Sequence, residues 1–249
     1  MPPAIIHQGV MDELASTVAA ILAGGLGTRL RSVVPDKPKV LADVGGRPFI
    51  EYLLDQLASQ EMENVVLCVG YLGDMVRQRL GASYRNMSLV YSQEKSPLGT
   101  GGALRLALPL LDAESILVMN GDSYCSARLK ALAAWHRSHD SHATILLARM
   151  EDTRRYGRLE VDDAGRIVQF QEKSATSGPG WVNGGIYLLR RALIESIPAD
   201  RAVSLERDVF PHWIGRGLHG FPGEGRLWDI GVPEAYAVAK AGFLDSISQ

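Results

Sequence analysis

A chain of 249 residues with a formal net charge of −2, 46% apolar and 22% charged residues has the make-up of one sizeable globular domain with a full core. The near-neutral balance offers no basic face for nucleic acid, and no apolar run reaches the roughly 18 residues of a membrane span. Two cysteines, Cys68 and Cys125, each beside apolar residues, are expected as buried reduced thiols, without disulfide or metal spacing. Residues 1–17 lack the basic start and long apolar stretch of a signal peptide. With Pro2, Pro3, Asp12 and Glu13 they read as a flexible extension, and the cytoplasm is the default location.

In chain order, Val18–Leu22 predicts a strand and Pro48–Gln60 a helix, with Pro48 suited to its first turn. Asn64–Gly70 (NVVLCVG) is a buried strand, Asp74–Leu80 a short helix and Leu89–Tyr91 a strand. Gly101–Leu111 is a helix, Ser115–Met119 a buried strand, Leu129–His139 a helix and Ala143–Ala148 a strand. This alternation predicts a mainly parallel, Rossmann-like α/β sheet flanked by helices. Beyond it, Arg158–Val161 and Arg166–Phe170 are strands joined by DDAG, a hairpin turn. Gly185–Leu189 is a strand, and Ser204–Ile214 a helix with Ser204 as N-cap. Leu227–Ile230 is a short strand and Pro233–Ile247 a closing helix. No linker or repeat interrupts the pattern. One domain, residues 18–249, is expected in two halves, a nucleotide-binding half to about residue 150 and an acceptor half after it. Open sheets of this kind bind ligands beyond the carboxyl ends of their strands.

The segment AILAGGLGTRL, Ala20–Leu30, places Gly24, Gly25 and Gly27 straight after the first strand. Glycine backbone admits a bulky anion close to its amides. Thr28 and Arg29 add a hydroxyl and a planar cationic fork suited to phosphate oxygens. A plain turn with a surface arginine would look the same locally. The Walker loop is disfavoured because Thr28-Arg29 replaces its Gly-Lys-Ser/Thr, and the dinucleotide fingerprint because Leu30 stands where its third glycine belongs. Lys37 and Lys39, separated by Pro38, join Arg29 and Arg31 in concentrating positive charge near the turn. That fits a nucleoside triphosphate.

GGLGTRLRSVVPDKPKVLADVGGRPFIEYLL resembles the signature of the sugar-phosphate nucleotidylyltransferases. The resemblance continues through SPLGTGGAL (Ser96–Leu104), NGD (Asn120–Asp122), YG (Tyr156–Gly157), FQEK (Phe170–Lys173), NGGIY (Asn183–Tyr187) and WDIG (Trp228–Gly231). It covers about Val18 to Phe243, with the motifs in the family's order. It implies the nucleotide-diphospho-sugar transferase type of fold. It also implies attack of a sugar 1-phosphate oxygen on the α-phosphorus of a nucleoside triphosphate, with release of pyrophosphate. A phosphate monoester with a second pKa of about 6 is already largely ionised at neutral pH, so no general base is required. The site must hold two polyanions together and absorb the charge that develops.

The family resemblance carries roles onto particular residues. Asp122 and Asp229 would hold Mg²⁺, which takes one or two carboxylates plus phosphate oxygens and water. Read without it, an aspartate after a strand is as often a helix N-cap. Ala23, Gly24, Gly25, Gly27 and Thr28 would cradle the nucleotide. Arg29 would grip the β- and γ-phosphates, and Lys39 would bridge triphosphate and sugar phosphate. Lys173 would bind the sugar 1-phosphate and Glu172 a sugar hydroxyl. Gly157, Asn183 and Gly184 would line the sugar pocket, and Gly99 and Thr100 would meet the base. Glu94 has the chemistry to accept guanine N1–H and N2–H₂, and equally reads as an exposed loop acid. His136, His139 and His142 lack a carboxylate second shell and read as surface residues, while Leu132 and Trp135 read as core.

Within the family, SQEKSPLGTGGAL, YGRLEVDDAGRIVQFQEK, WVNGGIYLL, SLERDVFP and WDIGVPEAY resemble the branch that transfers GMP from GTP to D-glycero-α-D-manno-heptose 1-phosphate for bacterial surface polysaccharide. Guanylyl transfer to mannose 1-phosphate is the nearest rival, followed by thymidylyl or cytidylyl transfer to glucose 1-phosphate. Ser174 departs from the proline many relatives carry after EK, which leaves that loop's path open. A catalytically silent sugar-nucleotide sensor is the non-enzyme alternative, and it would be expected to have lost Asp122, Asp229, Arg29 or Lys39. The substrates are small molecules; a homodimer follows from the resemblance alone.

Overall fold

The structure, a computed structural model, describes residues 14, 16–171 and 178–247. Its strands are β1 (Val18–Ala23), β2 (Asp43–Val44), β3 (Arg47–Pro48), β4 (Asn64–Val69), β5 (Ser83–Tyr84), β6 (Met87–Gln93), β7 (Ser115–Asn120), β8 (Ser123–Cys125), β9 (Ala143–Met150), β10 (Arg158–Val161), β11 (Ile167–Gln171), β12 (Gly180–Arg190), β13 (Leu218–Pro222) and β14 (Leu227–Asp229). Its helices are α1 (Phe49–Ser59), α2 (Gly73–Leu80), α3 (Gly99–Ala107), α4 (Leu129–Ser138), α5 (Arg191–Glu195) and α6 (Pro233–Ile247).

Among the described residues, ten strands form one sheet. Its main path runs β11-β10-β12-β7-β1-β4-β6-β5, and β9 pairs with β12 and with β13. The pairs β7–β1, β1–β4 and β4–β6 are parallel, and β12 runs antiparallel to β7 and β9. VAAILA, NVVLCV and SILVMN are near-continuous apolar runs because both faces of these strands are covered. On one face Ile21, Leu67 and Leu117 pack under Leu53 and Leu57 of α1, Val76 of α2 and Leu132 of α4. On the other, Ala20, Val66 and Val118 pack under Leu104 of α3, Leu193 of α5 and Phe210. A third cluster seats α6, where the Phe243 ring meets Tyr52 and Tyr124 edge-on at 4.8 and 5.1 Å.

The hairpin at Asp162–Gly165 closes through Gly165 N–H to Asp162 O at 2.9 Å, and Cys68 and Cys125 are buried free thiols, both as expected. Packing starts ahead of β1: Leu14 is buried, and Thr17 Oγ1 donates to its carbonyl. The expected helix Ser204–Ile214 is instead a π turn, Leu205–Val209, followed by a 3₁₀ turn, Phe210–Trp213. Pro211 has no N–H to continue an α-helical ladder. Ser204 does cap the segment, accepting from Arg207 N at 3.3 Å. β12 is far longer than Gly185–Leu189, and β8 and β13 were not expected. LHGFP hides β13 behind a glycine and a terminal proline. Among the described residues no helix is long and apolar enough to cross a membrane.

Candidate active site

Parallel β1, β4 and β6 end together, and a cavity of about 280 Å³ opens over their carboxyl ends. Ala23, Gly24 and Gly25 of the turn after β1 line it, with Lys39, Glu94, Gly99, Thr100, Asn120 and Asp122. Gly24 lets Glu94 lie close to the turn: a Cβ there would stand 2.8 Å from Glu94 Oε1 and would displace that carboxylate. Glu94 Oε2 accepts from Leu98 N at 2.9 Å, while among the described residues Oε1 receives no hydrogen bond. Burial raises the Glu94 pKa, and the Leu98 amide opposes that.

A second cavity, about 410 Å³, adjoins the first and shares Asn120 and Asp122 with it. Arg29, Ser123, Arg155, Tyr156, Gly157, Asn183, Gly185, Glu206, Leu227, Asp229 and Val232 complete its wall. β12 enters this cavity through a register shift between Asn183 and Tyr187, a bulge of the sort that re-aims side chains beside active sites. Gly185 makes it possible, with φ +76° and room for a Cβ only 2.3 Å from Ser123 Oγ. Asn183 is held by its own turn, Oδ1 accepting from Gly185 N at 2.8 Å and Nδ2 donating to Tyr187 OH at 2.9 Å.

Asp122 sits in the turn between β7 and β8, and its carbonyl accepts from Ile230 N at 2.9 Å, tying it to the segment after β14. Lys39 Nζ forms an ion pair with Asp122 Oδ2. Asp229, on β14, opposes Ser123 in the β14–β8 ladder. The two carboxylates converge: a Cβ on Gly231 would lie 2.9 Å from Asp229 Oδ1 and 3.5 Å from Asp122 Oδ2. Burial raises the Asp229 pKa and the Asp122 charge raises it further, against the Gly231 amide, Lys39 and Arg29. A pair of oxygens that repel each other at the junction of two cavities fits a divalent cation that also takes phosphate oxygens and water.

The structure thus brings Ala23, Gly24, Gly25, Lys39, Glu94, Gly99, Thr100 and Asp122 around one cavity and Arg29, Gly157, Asn183 and Asp229 around the next. Gly27 takes a left-handed φ of +60° inside the turn, and Thr28 is exposed beside it. Gly184 is the exception. It is packed against Leu146 with 2.9 Å between a notional Cβ and the Leu146 carbonyl, and Gly185 lines the cavity in its place. Thr100 lines the first cavity but commits its hydroxyl to Glu206 Oε2 (2.9 Å) and Leu205 N (2.8 Å). Glu172 and Lys173, with Ser174, lie outside the described residues.

Sequence reasoning missed Asn120, Tyr187 and Glu206 as site residues, although NGD, NGGIY and SLERD contain them. It also misplaced His136, which is buried rather than at the surface, with Nδ1 2.8 Å from Thr144 Oγ1. Leu129, Leu132, Ala133 and His136 share one helical stripe, a signal that could have placed it. Among the described residues no group of three or more His, Cys, Asp or Glu could hold a metal, so the histidines form no such centre.

Residues 18–246 match the nucleotidyl transferase family model, and the chain belongs to that family. It is 34% identical to the D-glycero-α-D-manno-heptose 1-phosphate guanylyltransferase of Aneurinibacillus thermoaerophilus, over 89% of this chain and 96% of the relative. The mannose-1-phosphate guanylyltransferase of Mycobacterium tuberculosis is 33% identical over 92% of this chain, which spans only 65% of that longer protein. Among solved structures, HddC from Yersinia pseudotuberculosis superposes with a TM-score of 0.80 at 34% identity, covering 91% of this chain and 99% of HddC. HddC has also been solved with GMP-PN bound.

Proposed function

We propose that this enzyme transfers GMP from GTP to D-glycero-α-D-manno-heptose 1-phosphate, releasing pyrophosphate and forming GDP-heptose for a bacterial surface polysaccharide. The observation that carries the reaction type is the position of Asp122. With Asn120 it forms the wall shared by the two cavities, it is paired with Lys39, and it faces Asp229. A phosphorus passed from one substrate to the other must cross there. The heptose-specific relative and its near-complete mutual coverage support the choice of base and sugar. Mannose 1-phosphate is the second reading, supported by the comparably similar mycobacterial relative.

In this mechanism the first cavity holds the triphosphate. The amides after Ala23 meet its phosphates, Thr28 adds a hydroxyl, and Arg29 neutralises the β- and γ-phosphates. Glu94 Oε1 is the acceptor for guanine. The second cavity holds the sugar, with Gly157 and Asn183 lining it and Glu172 and Lys173 assigned by resemblance to a hydroxyl and the 1-phosphate. Lys39 leaves Asp122 to bridge the two phosphates. A sugar phosphate oxygen then bonds to the α-phosphorus as the bond to the bridging oxygen of the β-phosphate breaks, and pyrophosphate departs with that electron pair. Asp122 and Asp229 would hold Mg²⁺, which supplies Lewis acidity and screens phosphate charge when bound. A nucleoside triphosphate substrate places the work in the cytoplasm; a homodimer is proposed from the family resemblance.

The test is pyrophosphate release with Mg²⁺ across GTP, ATP, CTP, UTP and dTTP, each with heptose, mannose or glucose 1-phosphate. Release confined to GTP and manno-heptose 1-phosphate supports the reading. Release with another pair moves the base or the sugar, and silence with every pair removes the transferase reading.

A further inference from the structure

Glu206 is the acidic side chain in the sugar cavity that the mechanism does not use. It reaches the cavity from the π turn Leu205–Val209. Its Oε1 accepts from Tyr187 OH at 3.1 Å. Its Oε2 accepts from Thr100 Oγ1 and from Ser204 Oγ, each at 2.9 Å. All three donors are neutral hydroxyls, and among the described residues none forms an ion pair with it. An ionised carboxylate has about four acceptor positions, so one remains, on a group that lines the cavity.

The same wall carries further unused polar capacity. Asn120 Oδ1 and Ser123 Oγ are buried without a hydrogen-bond partner among the described residues. Asn120 is not free to turn, because its Nδ2 donates to Tyr187 OH at 3.1 Å. The Tyr187 hydroxyl takes hydrogen bonds from Asn120 and Asn183 and passes its own proton toward Glu206, so its orientation is fixed. Asn120 Oδ1 and Ser123 Oγ are both shielded from the cavity, so they meet no ligand directly as the wall stands. The acceptor this wall presents to a polyhydroxylated ring is the remaining position on Glu206.

We infer that Glu206 is a sugar-recognising residue, accepting a ring or side-chain hydroxyl of the sugar 1-phosphate, and that Tyr187 and Thr100 position it. This rests on the proposed reaction and names the specificity element of its acceptor site. The Thr100 link gives the carboxylate a second consequence. Thr100 also lines the nucleotide cavity, so the sugar acceptor is anchored to the wall that the nucleotide occupies.

The experiment compares wild type with Glu206→Gln and Glu206→Asp. Steady-state kinetics are run with the accepted sugar 1-phosphate and its monodeoxy analogues, and calorimetric titration measures binding of the sugar 1-phosphate alone. Glutamine keeps the shape but donates at one atom where the carboxylate accepts. A hydrogen bond to a charged group is worth roughly a ten- to hundred-fold effect. The expected result is a rise of that size in KM and Kd for the sugar 1-phosphate, with KM for the nucleotide within about twofold. One monodeoxy analogue should be penalised by wild type and not by Glu206→Gln, the signature of a direct pairing. Should Glu206→Gln fail to fold, Glu206→Asp keeps the charge, withdraws it from the sugar and carries the same prediction. Equal losses for both substrates, with every deoxy penalty unchanged, would overturn the inference and leave Glu206 as a brace between the π turn and α3. Wild-type turnover with unaltered variants overturns the inference alone. Sugar binding that depends on Glu206 in a protein without turnover upholds it against the transferase reading, and no sugar binding overturns both.

Discussion

Asp229→Asn separates what the carboxylate pair costs the fold from what it does in the reaction. Asp229 Oδ1 and Asp122 Oδ2 lie 2.9 and 3.5 Å from one point, so they are no farther apart than the sum of those distances, about 6.4 Å. At an effective dielectric constant of about 20 two like charges at that separation repel by roughly 2–3 kcal/mol. Lys39, paired with Asp122, and Arg29 offset part of this. Asparagine keeps an oxygen to accept the 2.6 Å hydrogen bond from Gly231 N while removing the charge. In EDTA the variant should therefore be more stable than wild type by about 1–2 kcal/mol, a Tm rise of a few degrees in a chain of this size. Adding Mg²⁺ should raise the wild-type Tm and leave the variant unmoved. Pyrophosphate release should fall by roughly 10³-fold or more, the scale of several kcal/mol of lost charge stabilisation. A variant that is less stable in EDTA, or that turns over like wild type, would refute the reasoning.

Three further predictions test other parts of the site and fold. Glu94→Gln should cut kcat/KM for GTP by roughly ten- to hundred-fold while ATP changes little, and an unchanged GTP-to-ATP ratio would remove Glu94 from base recognition. Lys39→Met should lower kcat by roughly 10²–10³-fold, the usual loss for one charge-stabilising donor; rapid-quench measurement of product within tenfold of wild type would exclude the bridging role. Burial holds the His136 imidazole down to about 4, with Arg190, His219 and His142 adding to that and Asp140 opposing it. Its contribution is complete above the unfolded pKa of about 6.5 and is lost as pH falls from there toward 4, up to roughly 3 kcal/mol. Urea unfolding at pH 7 and 4.5 should show this loss in wild type and a smaller one in His136→Asn; parallel losses would show that other groups account for it.

The first half of the chain was legible because its physics is local. A strand covered on both faces must be a continuous apolar run, which is why VAAILA, NVVLCV and SILVMN announce themselves, and the glycine turn follows VAAILA directly. The second half depends on long-range contacts. Glu206 stands in SLERD, a polar string that reads as a solvated helical face, yet on the π turn Leu205–Val209 it is held at the cavity by hydroxyls from distant elements. Its three hydroxyl partners come from Thr100, Tyr187 and the neighbouring Ser204, and no spacing announces the first two. The choice of Gly185 over Gly184 depends on a register shift in β12 that the repeated glycines of NGG do not locate.

In the proposed reaction, the change of strand direction explains why the chemistry would fall at Asp122. Parallel strands β1, β4 and β6 deliver their carboxyl ends, with glycine-rich turn backbone after β1, to one edge of the sheet, where an anion can be wrapped by amides. β12 runs the other way beside β7, with Ile186 opposite Met119, so it brings Asn183 and Gly185 to the same edge from the beginning of its β7 pairing rather than from a strand end. A strand interior offers little free backbone, since its amides belong to ladders, and so it must recognise a ligand with side chains. The bulge at Gly185 and the Asn120–Tyr187–Asn183–Glu206 network meet that need. On the proposed reading, one half suits phosphate and the other hydroxyls. The turn after β7, the last strand parallel to β1 and the first beside β12, is then where the transferred phosphorus would sit.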